Sequence, residues 1–322
     1  MILWEIREED TFDLEIEIEN ITVLKGSNNI WFRLVRLVDD FFNNKGSIVT
    51  IMEDTQIIHK SDWECLFVPF DAHIQLDKLS TKSPLKSLWE EAAEELYNHT
   101  IFNELNDIWD VLREEVELIS KRKVEKYGLK LTVDDFSYNH LKKFIGFSSI
   151  KNYTTPFDFK LMLIKLFANK SVNKRKLVIV EYPELYTDQN EFQEFTSFVQ
   201  SLAEKGLQFI IVSNENLPFY GSKNYFLQNV VINQAKIEMV KRKVMNDLPF
   251  VVDHHDFAHV QKQFFELVDK LSNSVTHQPL STGDDVTLTI FYVLSHHLGL
   301  NLNIDKSQVS NDLYKFFQSF PK

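Results

Sequence analysis

Cysteine is almost absent from this chain: Cys65 is the only one among 322 residues. That excludes an intramolecular disulfide and a cysteine-built zinc cluster. Glycine and proline are scarce too, at 8 each, which disfavours an all-β sandwich with its many tight turns. No run of about 18 apolar residues offers a membrane span. The amino terminus, MILWEIREED, turns acidic at once, so no secretory leader is expected. A soluble cytoplasmic protein without a membrane partner is the expectation. No Ser/His/Asp or Cys/His nucleophile arrangement is legible, and the phosphate-loop motif G-x-x-x-x-G-K-[ST] does not occur.

What is present is a globular composition. Hydrophobic residues make up 44% and include 27 Phe, enough for a large core and for more than one average domain. The stretch Thr22–Arg36 comes nearest to a nucleotide site. A short apolar strand runs into Gly26-Ser27-Asn28, and a helix follows with Ile30, Leu34, Leu37 and Val38 on one face. Strand, glycine turn and helix N-terminus are the frame of a phosphate loop. Here no Lys is placed for the β- and γ-phosphates and no Ser/Thr for magnesium, so Gly26, Ser27 and Asn28 read as a degenerate loop that binds no cofactor. Asn28 and Asn29 are expected to cap the helix. Arg33 and Arg36 lie on the face away from its apolar stripe.

The net charge of −12 argues against nucleic acid until its distribution is considered. Between Ile119 and Lys176 stand fourteen Lys/Arg and four acids, a segment of +10 in a chain whose remainder is −22. Such asymmetry points either to a polyanion-binding surface or to a solvated face balancing acidic helices.

Taken in order, FDLEIEIE (12–19) alternates as a half-exposed strand, expected to form a hairpin with Ile21–Leu24. Strand candidates follow at Ser47–Met52, Gln56–His59 and Glu64–Phe67, the last holding Cys65 as a small core residue. Ser83-Pro84 signals a helix start. A longer helix spans about 102–126, with Leu105, Ile108, Trp109, Leu112, Val116 and Ile119 as its apolar stripe. Its first half is acidic and its end basic, a polarity that suits the macrodipole. Further helices are expected from Thr132 or Val133 to Phe144 and from Pro156 to Ala168. Leu177–Val180, ending in Glu181, reads as a buried parallel strand, and an acid in that place orders magnesium in ATPases. A helix over about 190–205 and the strand Gln208–Ser213 complete a βαβ unit, with Val230–Ile232 as an edge strand. Helices over 234–248, from Asp253, from Asp284 or Asp285, and from Asp305 or Ser307 form a C-terminal appendage.

Four stretches together, ENITVLKGSNN, LTVDDFSYNHLKKFIG, KRKLVIVEYPELYT and LQFIIVSNE, resemble the large form of the CRISPR-associated spacer-acquisition accessory protein of type II-A systems. The resemblance covers roughly residues 1–235, and the C-terminal helices fit the enlarged subfamily. It implies an α/β fold: a degenerate P-loop ATPase-like (RecA-like) head over 1–80 and 171–235, a helical leg over 81–170, and a helical extension over 236–322. It further implies a homotetrameric ring that threads double-stranded DNA ends, sequence-independently, through a lysine-lined channel. Nuclease and ATPase activity are not expected, and Glu181 becomes a vestigial acid. Its partners would be the CRISPR integrase and the RNA-guided nuclease of the same locus, in adaptive immunity against phage and plasmid DNA. The channel residues expected here are Lys121, Arg122, Lys123, Lys126, Lys142 and Lys143, with Arg33 and Arg36 after them. The runs at Lys174 and Lys241 come next.

Calcium is the one cofactor the resemblance raises, because shorter members bind it near the segment matching Leu129–Phe136. Only Asp134 and Asp135 remain there, and calcium takes six or more oxygens; capping or solvated acids are the favoured reading. His255 and His259 share a helix face, and exposed histidines on a capped helix are favoured over a metal site. Two other classes stay open: a nucleotide hydrolase with an unorthodox loop, and a scaffold that binds acidic protein partners.

Overall fold

The computed structural model describes residues 2–9, 11–26, 28–75, 85–128, 130–144, 155–170, 173–272, 284–301 and 310–320. The chain divides into two compact units, one made of Met1–Phe70 with Lys160–Lys322, the other of Asp71–Phe159.

The first unit opens with β1 (Ile2–Glu8) and β2 (Phe12–Ile18), followed by β3 (Ile21–Lys25), α1 (Asn29–Asn43), β4 (Val49–Glu53), β5 (Gln56–Ile57) and β6 (Trp63–Val68). The expected hairpin between the 12–19 strand and Ile21–Leu24 does not form. β2 pairs antiparallel with β1 instead, Trp4 facing Ile16 and Ile6 facing Leu14. The cause lies in MILWEIREED: Trp4 and Ile6 alternate with polar neighbours, and both are fully buried. β3, by contrast, is buried at every position, which suits a central parallel strand rather than one arm of a hairpin.

After the second unit the chain re-enters the first through α5 (Pro156–Asn169), β7 (Arg175–Glu181), α6 (Gln189–Ala203), β8 (Gln208–Ser213), β9 (Ser222–Leu227) and β10 (Val230–Ile232). The larger sheet has the order β10-β9-β3-β8-β7-β6. From β9 to β6 every pairing is parallel, and only β10 runs antiparallel, at the edge. The smaller sheet is antiparallel, in the order β2-β1-β4-β5. α1 shares one core with both sheets, through Trp31, Leu34 and Val38 against Trp4 and Ile51 of one and Ile179 and Val212 of the other. At the start of β9, Gly221 approaches β3 so closely that a Cβ there would lie 2.0 Å from the Ile21 carbonyl oxygen.

The C-terminal helices α7 (Gln234–Asp247), α8 (His254–Ser272), α9 (Asp285–His297) and α10 (Asn311–Ser319) belong to this same unit. Their core joins Ile237, Phe257, Phe264 and Leu294 to Tyr225 and Ile232 of the larger sheet. The caps expected from the sequence are in place at Asp253, which accepts from the Asp256 amide at 2.7 Å, and at Asp284. Asp305, Ser307, the 274–281 linker and Ser83-Pro84 lie outside the described residues.

The second unit holds α2 (Lys86–Tyr97), α3 (Thr100–Tyr127) and α4 (Tyr138–Phe144). α4 starts later than its sequence suggests, because residues 130–137 have no regular structure and are held against α3. The Leu131 amide donates to Ser120 Oγ at 2.7 Å, and Trp109 Nε1 donates to the Asp134 carbonyl at 2.8 Å. Phe136 packs on Phe102 and Trp109. α3 splits the expected stripe, with Trp109 and Val116 turned inward and the other four outward. Its less exposed seam runs through Phe102, Asn106, Trp109, Arg113, Val116 and Ser120, while Leu105, Ile108, Leu112 and Ile119 face solvent.

Candidate nucleic-acid interface and a closed sheet end

Three strands of the larger sheet finish together: β3 at Lys25, β7 at Glu181 and β8 at Ser213. In an open α/β sheet this edge is where ligands bind. Gly26 leaves β3 in the left-handed region, φ 98°, and its amide donates to the Ser213 carbonyl at 3.1 Å. Asn28 caps α1 by accepting from the Trp31 amide at 2.9 Å. The Trp31 indole, fully buried, donates to the Lys25 carbonyl at 2.8 Å. The turn therefore keeps the geometry of strand into helix. Ser27 lies outside the described residues.

Around this turn the charged groups are matched within the unit. Lys25 is 1% exposed. Its ammonium meets the carbonyls of Asn214 and Glu215 at 3.0 and 2.9 Å and the Asp269 carboxylate of α8 at 3.2 Å. The two carbonyls accept hydrogen bonds from it, and the carboxylate faces it as an ion pair. Glu181, wholly buried, is bound by both terminal nitrogens of Arg36, one of them at 3.3 Å from Oε2. The Arg36 guanidinium also lies 3.2 Å from the centre of the Phe32 ring, an attractive stacked placement.

Glu184 ties the next turn to β8, accepting from the Asn214 amide at 2.8 Å and from Ser213 Oγ at 3.1 Å. Lys160, the residue at which the chain re-enters the unit, is buried and donates to the Leu185 carbonyl at 3.1 Å. Burial lowers its pKa to about 8, with Glu184 opposing the shift. It anchors a turn in which Tyr182 and Tyr186 both take left-handed φ, 42° and 63°, a conformation that costs free energy for a residue with a Cβ.

The basic candidates fall into two groups. Lys121 and Arg122 are exposed on the last turns of α3, and Lys143 is exposed on α4 beside a solvent-facing Phe144. Lys123 and Lys126 lie on α3 and Lys142 on α4, with side chains outside the described set. Arg33 and Arg36, read from the sequence as outward-facing cations, are engaged by acids. Arg33 pairs with Glu8 at 2.6 Å and sits over the Phe12 ring, and Arg36 covers Glu181. The segment of +10 does not form one surface either. Lys160 is buried, Lys170 pairs with Glu64 at 3.1 Å, Arg175 lies over Trp63, and Lys176 donates to the Ala168 carbonyl at 2.8 Å. Exposed cations remain in both parts, at Lys121, Arg122, Lys130 and Lys143 in the second unit and at Lys165, Lys170, Lys174 and Arg175 in the first.

Asp135 accepts from Arg113, and Asp134 offers its carbonyl to Trp109. Among the described residues no three His, Cys, Asp or Glu side chains group as a metal site. His255 is exposed beside Asp256, and His259 contacts Gln263 at 3.1 Å. Cys65 packs at the edge of the core, where burial pushes its thiol well above its ordinary pKa. Among the described residues no helix is long and apolar enough to cross a membrane.

Two residues that matter here are not singled out by motif or spacing. Lys25 ends the otherwise apolar run ITVL, and Lys160 interrupts FDFKLMLIKLF. The available signal is a charge at the end of an apolar run for Lys25 and a charge within a mostly apolar stretch, beside Asp158 and Lys165, for Lys160, since a buried charge requires a partner.

Among solved structures, Stu0660 of Streptococcus thermophilus is similar over its whole length. The alignment covers 98% of this chain and 100% of that one at a TM-score of 0.54 and 15% identity. The likeness is one of fold. A second structure, cbiO1 from Clostridium perfringens, part of the ABC transporter complex cbiONQ, matches at 13% identity over 80% of this chain and 98% of that one. Its TM-score of 0.34 is too low to carry a conclusion about fold. No protein-family model matches the chain, and no curated protein matches it.

Proposed function

We propose that this chain is a non-catalytic, sequence-independent binder of double-stranded DNA ends that acts as a homotetrameric ring during CRISPR spacer acquisition. The four sequence stretches support the family reading, and the whole-length likeness in fold to Stu0660 is consistent with it. On this reading the larger sheet is the degenerate ATPase-like head and the helical unit is the leg. The integrase and the RNA-guided nuclease of the same locus are the partners.

The observation that carries the reading is the state of the sheet end. Catalysis of phosphoryl transfer needs a lysine for the phosphates and an acid for magnesium. Lys25 is held by two backbone carbonyls and the Asp269 carboxylate, and Glu181 is bound by Arg36. A nucleotide would have to displace both sets of partners. Exposed cations lie on α3 and α4 instead, at Lys121, Arg122 and Lys143. Cations of that kind meet phosphates, carry no sequence preference and bind more weakly as salt rises.

The test is the affinity of a short linear duplex as a function of salt, for the native chain and for Lys121→Ala/Arg122→Ala/Lys143→Ala. Affinity should fall for every sequence alike. The slope of log affinity against log salt should decrease by about one for each phosphate left without its cation. An unchanged affinity would refute the proposed interface. ATP turnover abolished by Glu181→Gln would refute the non-catalytic reading.

A further inference from the structure

Within the first unit, α8 and β9 face one another across a cleft of about 460 Å³. Small-molecule sites span about 300–1,000 Å³. Two surfaces supply most of the lining. On α8, Lys262, Phe265, Glu266 and Asp269 are spaced as one face of a helix. On β9, Lys223 and Tyr225 alternate and so share one face of the sheet. A helix that covers a sheet normally does so with an apolar stripe. Here the Tyr225 and Phe265 rings stack, their centres 5.8 Å apart, and every other side chain of the lining is polar or charged.

The charges are of both signs and are not paired with one another. Among the described residues, Lys223, Lys262, Glu19 and Glu266 make no side-chain hydrogen bond and no ion pair. Lys223 is half-buried. Burial lowers its pKa, the Lys25 ammonium lowers it further, and Asp269, which already holds Lys25, opposes the shift. A half-buried ammonium without a hydrogen-bond acceptor is unfavourable for the chain alone. The opposite sign is crowded at the end of β2. Glu17 is wholly buried, and burial raises its pKa, with the Ala235 amide opposing the rise and Glu19 adding to it. Base therefore crowds base beside Lys223, and acid crowds acid beside Glu19.

These oppositions define the occupant. An anion alone meets Glu17, Glu19 and Glu266. A cation alone meets Lys262 and Lys223, with Lys25 close to the latter. A molecule that carries both charges finds a partner for each, and an apolar body between them finds the Phe265 ring.

We infer that this cleft binds a small zwitterion with an apolar body, of the kind an aromatic amino acid or a dipeptide presents, its carboxylate on Lys223 and Lys262 and its ammonium on Glu19 and Glu266. The site lies in the first unit and does not depend on the DNA contacts proposed for α3 and α4. Asp269 lines the cleft and also holds Lys25 at 3.2 Å, so the occupant sits against the closed sheet end.

Titration calorimetry on the full chain tests the site with L-phenylalanine, the dipeptide Ala-Phe, phenylpropionate, which lacks the ammonium, and phenethylamine, which lacks the carboxylate. At least one zwitterion should bind about tenfold or more tighter than either singly charged analogue, because each charge-assisted contact contributes on the order of one such factor. Tighter binding of phenylalanine identifies a free amino acid as the occupant, and tighter binding of Ala-Phe a short peptide. Lys223→Met should weaken the zwitterion about tenfold without weakening phenethylamine. Glu266→Gln should weaken the zwitterion without weakening phenylpropionate. Glu266 is exposed, so this second variant tests the site even where Lys223→Met alters folding. No binding of either zwitterion at millimolar concentration, equal affinity for the singly charged analogues, or zwitterion affinity unchanged by Glu266→Gln would overturn the inference.

Discussion

The closed sheet end and the helix α3 are opposites in where they place charge and apolar surface. At the sheet end, Lys25, Glu181, Glu184 and Lys160 are held within the chain, each by named partners. On α3, acids in the first part and cations in the last turns share a helix whose isoleucines and leucines face outward. The first region is complete within one chain. The second leaves apolar side chains exposed among the described residues, a placement unfavourable in water. The proposed function follows the second pattern. On that proposal, the turn whose ions are already paired is a structural part, and the exposed helix is the working surface.

Substitutions should therefore act on opposite properties in the two regions. Gly221→Ala is expected to have the largest effect on stability. Its Cβ would overlap the Ile21 carbonyl of β3, and a clash with backbone in a close-packed sheet costs about 3 kcal/mol or more. Urea unfolding of the two chains measures it. Arg36→Ala comes next. It leaves the fully buried Glu181 without its guanidinium, a loss of about 2 kcal/mol once the partial exposure of Arg36 is allowed for. Replacing the pair together, as Arg36→Met/Glu181→Leu, should be closer to neutral, and a double-mutant cycle checks the coupling.

Lys160 gives a smaller effect with a distinct pH signature. Its folded pKa is about 8, below the ordinary lysine value of 10.5. Below pH 8 both folded and unfolded chains carry the proton, and the folded chain bears the cost of a buried charge. Between pH 8 and about 10 the unfolded chain binds more protons, so stability rises with pH through that window. Lys160→Met should remove the rise. The measurement is the difference in unfolding free energy between the two chains at pH 7 and pH 10, which cancels other titrating groups. A difference independent of pH would show that the ammonium is not desolvated as described.

Smallest in stability, and largest in binding, is Lys121→Ala/Arg122→Ala. Both residues are exposed on α3, so stability should change by less than about 0.5 kcal/mol while duplex affinity falls. A protein in which these cations stabilised the fold, and Arg36 did not, would invert the comparison.

Much of the α/β frame is legible in the sequence because its signals are local. β7 reads as LVIV between a basic run and Glu181, and Asp188, Asp253 and Asp284 cap the helices that follow them. β1 is harder, since only Trp4 and Ile6 mark it and its partners β2 and β4 are distant in sequence from one another. The apolar stripe of α3 is legible as a stripe, but periodicity does not say which face a helix turns inward. Here that is decided by Trp109, which reaches the Asp134 carbonyl, and by Phe136, which packs beside it.

The site is least legible where ions pair across long separations. Lys25 and Asp269 are 244 positions apart, Arg36 and Glu181 are 145 apart, and no spacing rule joins either pair. The run from Lys121 to Lys176 looks like one basic surface only because sequence does not show that Lys160, Lys170 and Lys176 are used internally.

The most direct test of the central claim compares linear with covalently closed circular duplex of the same sequence at one salt concentration. A ring that threads DNA ends retains the linear form and releases the closed circle, and Lys121→Ala/Arg122→Ala/Lys143→Ala abolishes the difference. Equal retention of both forms by the native chain would contradict end binding.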